Sequence, residues 1–115
     1  MIKPSPDSVV PVDARLLPCF LALAYSDLGE KEKALDYARQ GVADYQNDVL
    51  SKPFAETVLA QTQGRFGEID AAIAAIPHLL EVVNGITRGN LRVDPAWDPL
   101  RKDPRFQQLC QEPSP

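Results

Sequence analysis

The 115-residue chain has little of what most chemical sites are built from: two cysteines and one histidine. Cys19 and Cys110 are far apart and form no CxxC pair. With His78 alone they cannot supply the three or four clustered ligands of a zinc site. There is no HExxH pair and no acidic EF-hand loop, so no metal and no cofactor is expected. Gly64-Arg65-Phe66-Gly67 lacks the GK[ST] of a phosphate loop, and none of the serines stands in a GxSxG turn. The carboxylates are scattered along helix surfaces rather than paired, which is not the arrangement acid-base catalysis needs. His78 reads as a surface or core-edge residue.

Positive charge is also short. The net charge is −4 and the pI is near 4.9. Phosphate-backbone binding depends on clustered Lys and Arg, so no nucleic acid partner is expected. A basic membrane-surface helix is absent for the same reason. The Arg92, Arg101, Lys102 and Arg105 group is offset by Asp94, Asp98 and Asp103. No long apolar run exists: Leu16 to Tyr25 covers ten residues, about half of what a membrane span requires. Met1 to Pro11 has one lysine, three prolines and no apolar stretch of the secretory kind. A cytoplasmic location follows, with the cysteines read as two small buried hydrophobes in a reducing compartment.

Strand-forming residues are sparse, and Ala, Leu, Glu, Gln, Lys and Arg fill the middle of the chain. The predicted organisation is a flexible arm over 1–12, a helical domain over 13–112 and a tail at 113–115. The first helix runs from a cap at Asp13 to Leu28, with Pro18 just inside it. The second covers Glu30 to Tyr45, with Ala34, Leu35, Tyr37, Ala38, Val42 and Tyr45 at 3/4 spacing. Asn47-Asp48 makes a turn. The third runs from Lys52 to Arg65, with Phe54, Ala55, Val58, Leu59 and Thr62 inward. The fourth covers Glu68 to Val83 on a stripe of Ile69, Ala72, Ile73, Ile76, Leu79, Leu80 and Val83. Pro77 predicts a kink or break within it. Asn84-Gly85 ends that segment. Asp94-Pro95 and Asp103-Pro104 each set a capping acid before a first-turn proline, announcing two short helices. Trp97, Leu100, Phe106, Leu109 and Cys110 are available to pack there.

Two segments repeat. Leu21-Ala22 precedes Gly29 by eight and seven residues, and Ala34 follows it by five; Leu59-Ala60, Gly67 and Ala72 keep the same intervals. Ala38 and Gly41 are matched by Ile76 and Leu79, whereas Gln63 departs from Tyr25. The pattern resembles the tetratricopeptide repeat (TPR), a helix–turn–helix of about 34 residues, with a longer loop here. Small residues let the two helices approach, the glycine supplies a left-handed turn, and one unit cannot bury its face alone. The stretch Leu91-Arg92-Val93-Asp94-Pro95-Ala96-Trp97-Asp98-Pro99-Leu100-Arg101-Lys102-Asp103-Pro104-Arg105-Phe106 is similar to the closing sequence of certain bacterial TPR proteins. In those, the array follows a Ser/Thr kinase, winged-helix or adenylyl-cyclase-type domain.

The resemblance implies an all-α, TPR-like α-solenoid. It would have two antiparallel helix pairs, with units at about 15–48 and 53–86, and short capping helices over about 91–111. The resemblance implies a position in a larger architecture but no ligand. The expected function is a protein-interaction or scaffold module in a bacterial signalling or regulatory protein, with no enzymatic activity, that binds a peptide or helix or self-associates. In TPR folds the first helix of each unit lines the concave face. Carried onto this chain, the groove residues are Leu16, Cys19, Leu23, Ser26 and Asp27, then Phe54, Thr57, Gln61, Gly64 and Arg65. The Lys and Asn residues with which chaperone-binding members clamp a carboxylate are missing at these positions. The apolar first helix is a second candidate surface. It would pack on a preceding repeat in a longer protein, or form a homodimer in isolation. The competing expectation is a small helical enzyme or ligand-binding domain with a pocket between the helix pairs.

Overall fold

The computed structural model describes residues 15–111, and every described element is helical. Four longer helices come first: α1 (Leu16–Asp27), α2 (Lys31–Asp44), α3 (Lys52–Arg65) and α4 (Ile69–Glu81). Three short ones follow: α5 (Arg88–Val93), a 3-10 helix (Pro95–Leu100) and α6 (Pro104–Cys110). α1 pairs with α2 and α3 with α4, while α2 and α3 join the pairs. The flexible arm and the Asp13 cap expected from sequence lie outside the described residues, as does the tail.

Pro18 is the third residue of α1. The first four amides of a helix have no internal partner, so a proline there removes no hydrogen bond. Both pairs turn in the same way. Gly29 and Gly67 hold φ of +77° and +88°, the left-handed region that an L side chain resists. Gly29 N–H donates to Ser26 (3.0 Å) and Glu30 N–H to Tyr25 (2.9 Å). Gly67 N–H donates to Gly64 (3.3 Å) and Glu68 N–H to Gln63 (2.8 Å). These are the two bonds of a Schellman cap, made twice at a separation of 38 residues. The alanines of the repeat do what their size suggests: Ala22, Ala34, Ala60 and Ala72 are all fully buried.

Pro77 does not break α4, which continues four residues beyond it. The ring costs about 3 kcal/mol in a helix interior. Ile73, Ile76 and Leu79 lie buried on either side, and each such side chain is worth about 1.5–3 kcal/mol when removed from water. Packing therefore outweighs the proline. The helix ends at Glu81, earlier than its apolar run suggests. Val82 turns extended (ψ 151°), which carries Val83 out to solvent rather than into the stripe. Asn84 then takes φ of +63°, and Gly85 lies so close to Leu79 that a Cβ there would clash with the Leu79 carbonyl oxygen. Phe54 is a second departure. It is exposed, because the inward face of α3 passes through Pro53, Ala55, Val58 and Thr62 instead.

α5 has no counterpart among the sequence expectations. Thr87 caps it, its hydroxyl accepting from Asn90 N–H at 3.0 Å. The two Asp-Pro helices begin where expected. Asp94 accepts from Ala96 N–H (2.9 Å) and Asp103 from Arg105 N–H (2.8 Å).

The core has two parts. The first joins Cys19, Ala22, Ala38, Tyr45, Ala55 and Val58 across α1, α2 and α3. Its helices touch closely: a Cβ on Gly41 would stand 2.8 Å from Cys19 Sγ. The second gathers Ile73, Ile76 and Leu79 of α4 with Leu91, Trp97, Leu100 and Phe106 of the closing helices. Trp97 is fully buried, and its indole N–H donates to Asn90 Oδ1 at 2.9 Å, so the burial leaves no orphan donor.

Candidate binding surfaces

The 38-residue register sets α1 and α3 side by side with equivalent residues abreast. Asp27 and Arg65, equivalent positions in the two pairs, form an exposed ion pair at 2.9 Å. Beside it Leu23, Ser26, Gln61, Thr62 and Arg65 line a dent of about 70 Å³, closed on one side by Ala96 of the 3-10 helix. The structure thus brings Leu23, Ser26, Asp27, Gln61 and Arg65 to one surface. It places the other sequence candidates differently.

Cys19 is fully buried between α1 and α2 and cannot face a groove. The close approach at Gly41, which no single-helix pattern reveals, turns it inward. Burial raises its thiol pKa, and the Asp44 carboxylate adds to the shift. Ser26 is nearly as buried, and its hydroxyl donates back to Ala22 O at 2.7 Å. Thr57 spends its hydroxyl in the same way on Pro53 O at 2.7 Å. Leu16 is half-buried on the first core cluster, and Gly64 approaches Leu100 of the 3-10 helix. Phe54 is exposed at the start of α3.

A larger cleft, about 330 Å³ and open to solvent, was not foreseen. It lies where the α2–α3 loop meets α3 and the end of α4, with Val49, Pro53 and Val83 on its walls and Lys52, Glu56 and His78 on its rim. His78 Nε2 stands 3.4 Å from Glu56 Oε1. The lining contains no hydroxyl or thiol; its polar side chains are Gln46, Lys52, Glu56 and His78. Two segments distant in sequence, 46–56 and 78–83, build this cleft, which is why no local pattern signals it.

The arginines of the closing segment are engaged internally. Arg101 donates to the Leu91 and Asp94 carbonyls at 2.8 and 2.7 Å and to the Asp98 carboxylate. Arg92 donates to Cys110 O at 2.8 Å. Arg105 bridges Asp103 (2.9 Å) and Asp70 (2.7 Å), tying α6 to α4. Hydrogen bonds from Arg105 lower the Asp103 pKa, and Asp103 and Asp70 raise that of Arg105.

An exposed apolar surface runs along α1. Leu17 (58% exposed), Phe20 (51%), Ala24 and Leu28 (72%) lie three or four residues apart on one face. Leu23 adjoins them and leads toward the α1–α3 dent.

Among the described residues no helix is long and apolar enough to cross a membrane, and no group of three or more His, Cys, Asp or Glu could hold a metal ion. No family model, curated protein or solved structure matches the chain.

Proposed function

We propose that the chain is a TPR-like interaction or scaffold module, the closing part of a helical-repeat array in a bacterial signalling or regulatory protein, and that it acts by binding a helix or peptide. The observation that carries this reading is the recurrence of one helix–turn–helix unit. The same two cap bonds, left-handed glycine and buried alanine pair return after 38 residues. Units of this kind stack on neighbours and use the surface of their first helices for binding. The contrast between the two ends adds support. The second unit is covered by large side chains from the closing helices, while the first leaves an apolar face open.

Photo-crosslinking in the native cell tests this. A photoreactive residue at Gln61, between α1 and α3, is compared with one at exposed Asp36 on α2. The expected result is a discrete protein adduct from position 61, absent from position 36 and reduced by Arg65→Glu. No adduct from 61, or equal adducts from both, contradicts the reading.

A further inference from the structure

The cleft beside the α2–α3 loop is bordered by two turns that show apolar side chains to solvent. The α2–α3 loop carries Val49, which is 82% exposed. At the end of α4 the helix stops although the apolar run continues, and the turn that follows sets Val82 and Val83 on the cleft. Both turns are held in place. Ser51 N–H donates to Asp48 Oδ1 at 3.1 Å and Lys52 N–H to Asp48 O at 2.8 Å, while Arg15 pairs with the same carboxylate at 3.1 Å. In the second turn Ile86 N–H donates to Leu79 O at 2.9 Å. The Asn84 side chain donates to Leu50 O at 3.2 Å and so ties the two turns together. The cleft is thus formed before anything enters it, and a ligand does not have to order its walls.

The charges in the cleft select the ligand. Its ionisable lining residues are Lys52, Glu56 and His78. Glu56 is engaged by His78, 3.4 Å away. Lys52 stands one turn from Glu56 on α3, is half-buried, and pairs with no carboxylate among the described residues. A half-buried ammonium without a counter-ion has given up part of its hydration, and an incoming carboxylate offsets that loss with a charge-assisted hydrogen bond. The unpaired charge is positive, so an anionic head is favoured over a cationic one. The Gln46 amide can donate beside it, and Val49, Pro53, Val82 and Val83 offer an aliphatic surface. A volume of about 330 Å³ lies at the lower end of ligand pockets and fits a small molecule.

We infer that this cleft binds a small aliphatic monocarboxylate, with the carboxylate on Lys52 and the tail between Val49 and Val83. The site is separate from the α1–α3 surface and does not depend on the interaction reading. The probes are hexanoate, hexanol and hexylamine, titrated into the full chain at one ionic strength and followed by backbone amide NMR shifts. Hexanoate should shift amides within 46–56 and 78–83 saturably and bind about threefold or more tighter than hexanol, with hexylamine the weakest. Lys52→Gln should remove the preference for hexanoate over hexanol, and Val83→Ser should weaken both. An unchanged amide spectrum away from the cleft establishes that each variant is folded. Hexanoate that gives no saturable shift, or that binds no better than hexanol, overturns the proposal. So does a preference that survives Lys52→Gln. Shifts confined to the exposed face of α1 overturn it as well, because they report apolar adsorption rather than this site.

Discussion

The two helix pairs share one backbone plan and differ in what completes them. In the first pair the core is made largely of small residues: Cys19, Ala22, Ala34 and Ala38 are fully buried, and Cys19 lies against Gly41. In the second, Ile76 and Leu79 stand where Ala38 and Gly41 do, and the extra bulk is received by Trp97, Leu100 and Phe106. Among the described residues the second pair is therefore covered on both sides, and the first keeps an exposed apolar face. Identical turns with different surroundings show that the turn specifies the hairpin, while the neighbours decide how much of it leaves water.

The largest expected effect is at the covered end. Trp97→Ala should destabilise by about 3–5 kcal/mol, the cost of emptying a fully enclosed aromatic site, as read from urea unfolding. No single side chain of the first pair is as large and as enclosed apart from Tyr45. Next comes close packing. Gly41→Ala drives a methyl against Cys19 Sγ and should cost about 1–3 kcal/mol. Adding Cys19→Ala opens the space, so the double variant should be more stable than the sum of the two changes. Additive losses would place the strain elsewhere.

Smaller effects come from caps and titrating groups. Thr87→Ala should cost about 1 kcal/mol through loss of the α5 cap. Asp48 and Asp103 have lowered pKa values. For Asp48 the chief cause is the Ser51 backbone N–H, with Arg15 helping; for Asp103 it is the Arg105 side chain. Groups depressed in the folded state contribute stability above their unfolded value, about 4, and lose it as pH falls through the folded value. Urea midpoints should therefore fall below about pH 4, and Asp103→Asn should have a smaller acid-induced loss than the unmodified chain. The smallest effect is local. Cys110, half-buried on α6, should react with a thiol reagent in the native protein, while Cys19 should react only after unfolding.

Features set by local backbone chemistry were legible in the sequence. A glycine required for a left-handed turn is visible as a glycine, and Gly29 and Gly67 located both hairpins. The Asp94 and Asp103 caps followed from side chains that bond to adjacent amides. Features set by packing were not. Pro77 suggested a break that the surrounding buried isoleucines and leucine override. Val83 and Phe54 carry apolar side chains in near-correct phase, but a helix end and a helix rotation leave them exposed. α5 is too short to show a period. Of the candidate groove, Leu23, Asp27, Gln61 and Arg65 could be read because equivalent residues on adjacent first helices fall abreast. Cys19 could not, because the α1–α2 contact that buries it depends on a glycine more than twenty residues away in sequence.

Phe20 and Val58 occupy one position of the repeat, exposed in the first pair and buried in the second. The most direct measurement is the urea stability of Phe20→Glu beside Val58→Glu. The account predicts that Phe20→Glu changes stability by about 1 kcal/mol or less, as a surface substitution does. Val58→Glu should lose several kcal/mol, or fail to fold, because it buries an unpaired carboxylate. Equal and severe losses at both positions would contradict it, since the α1 face would then be core rather than surface.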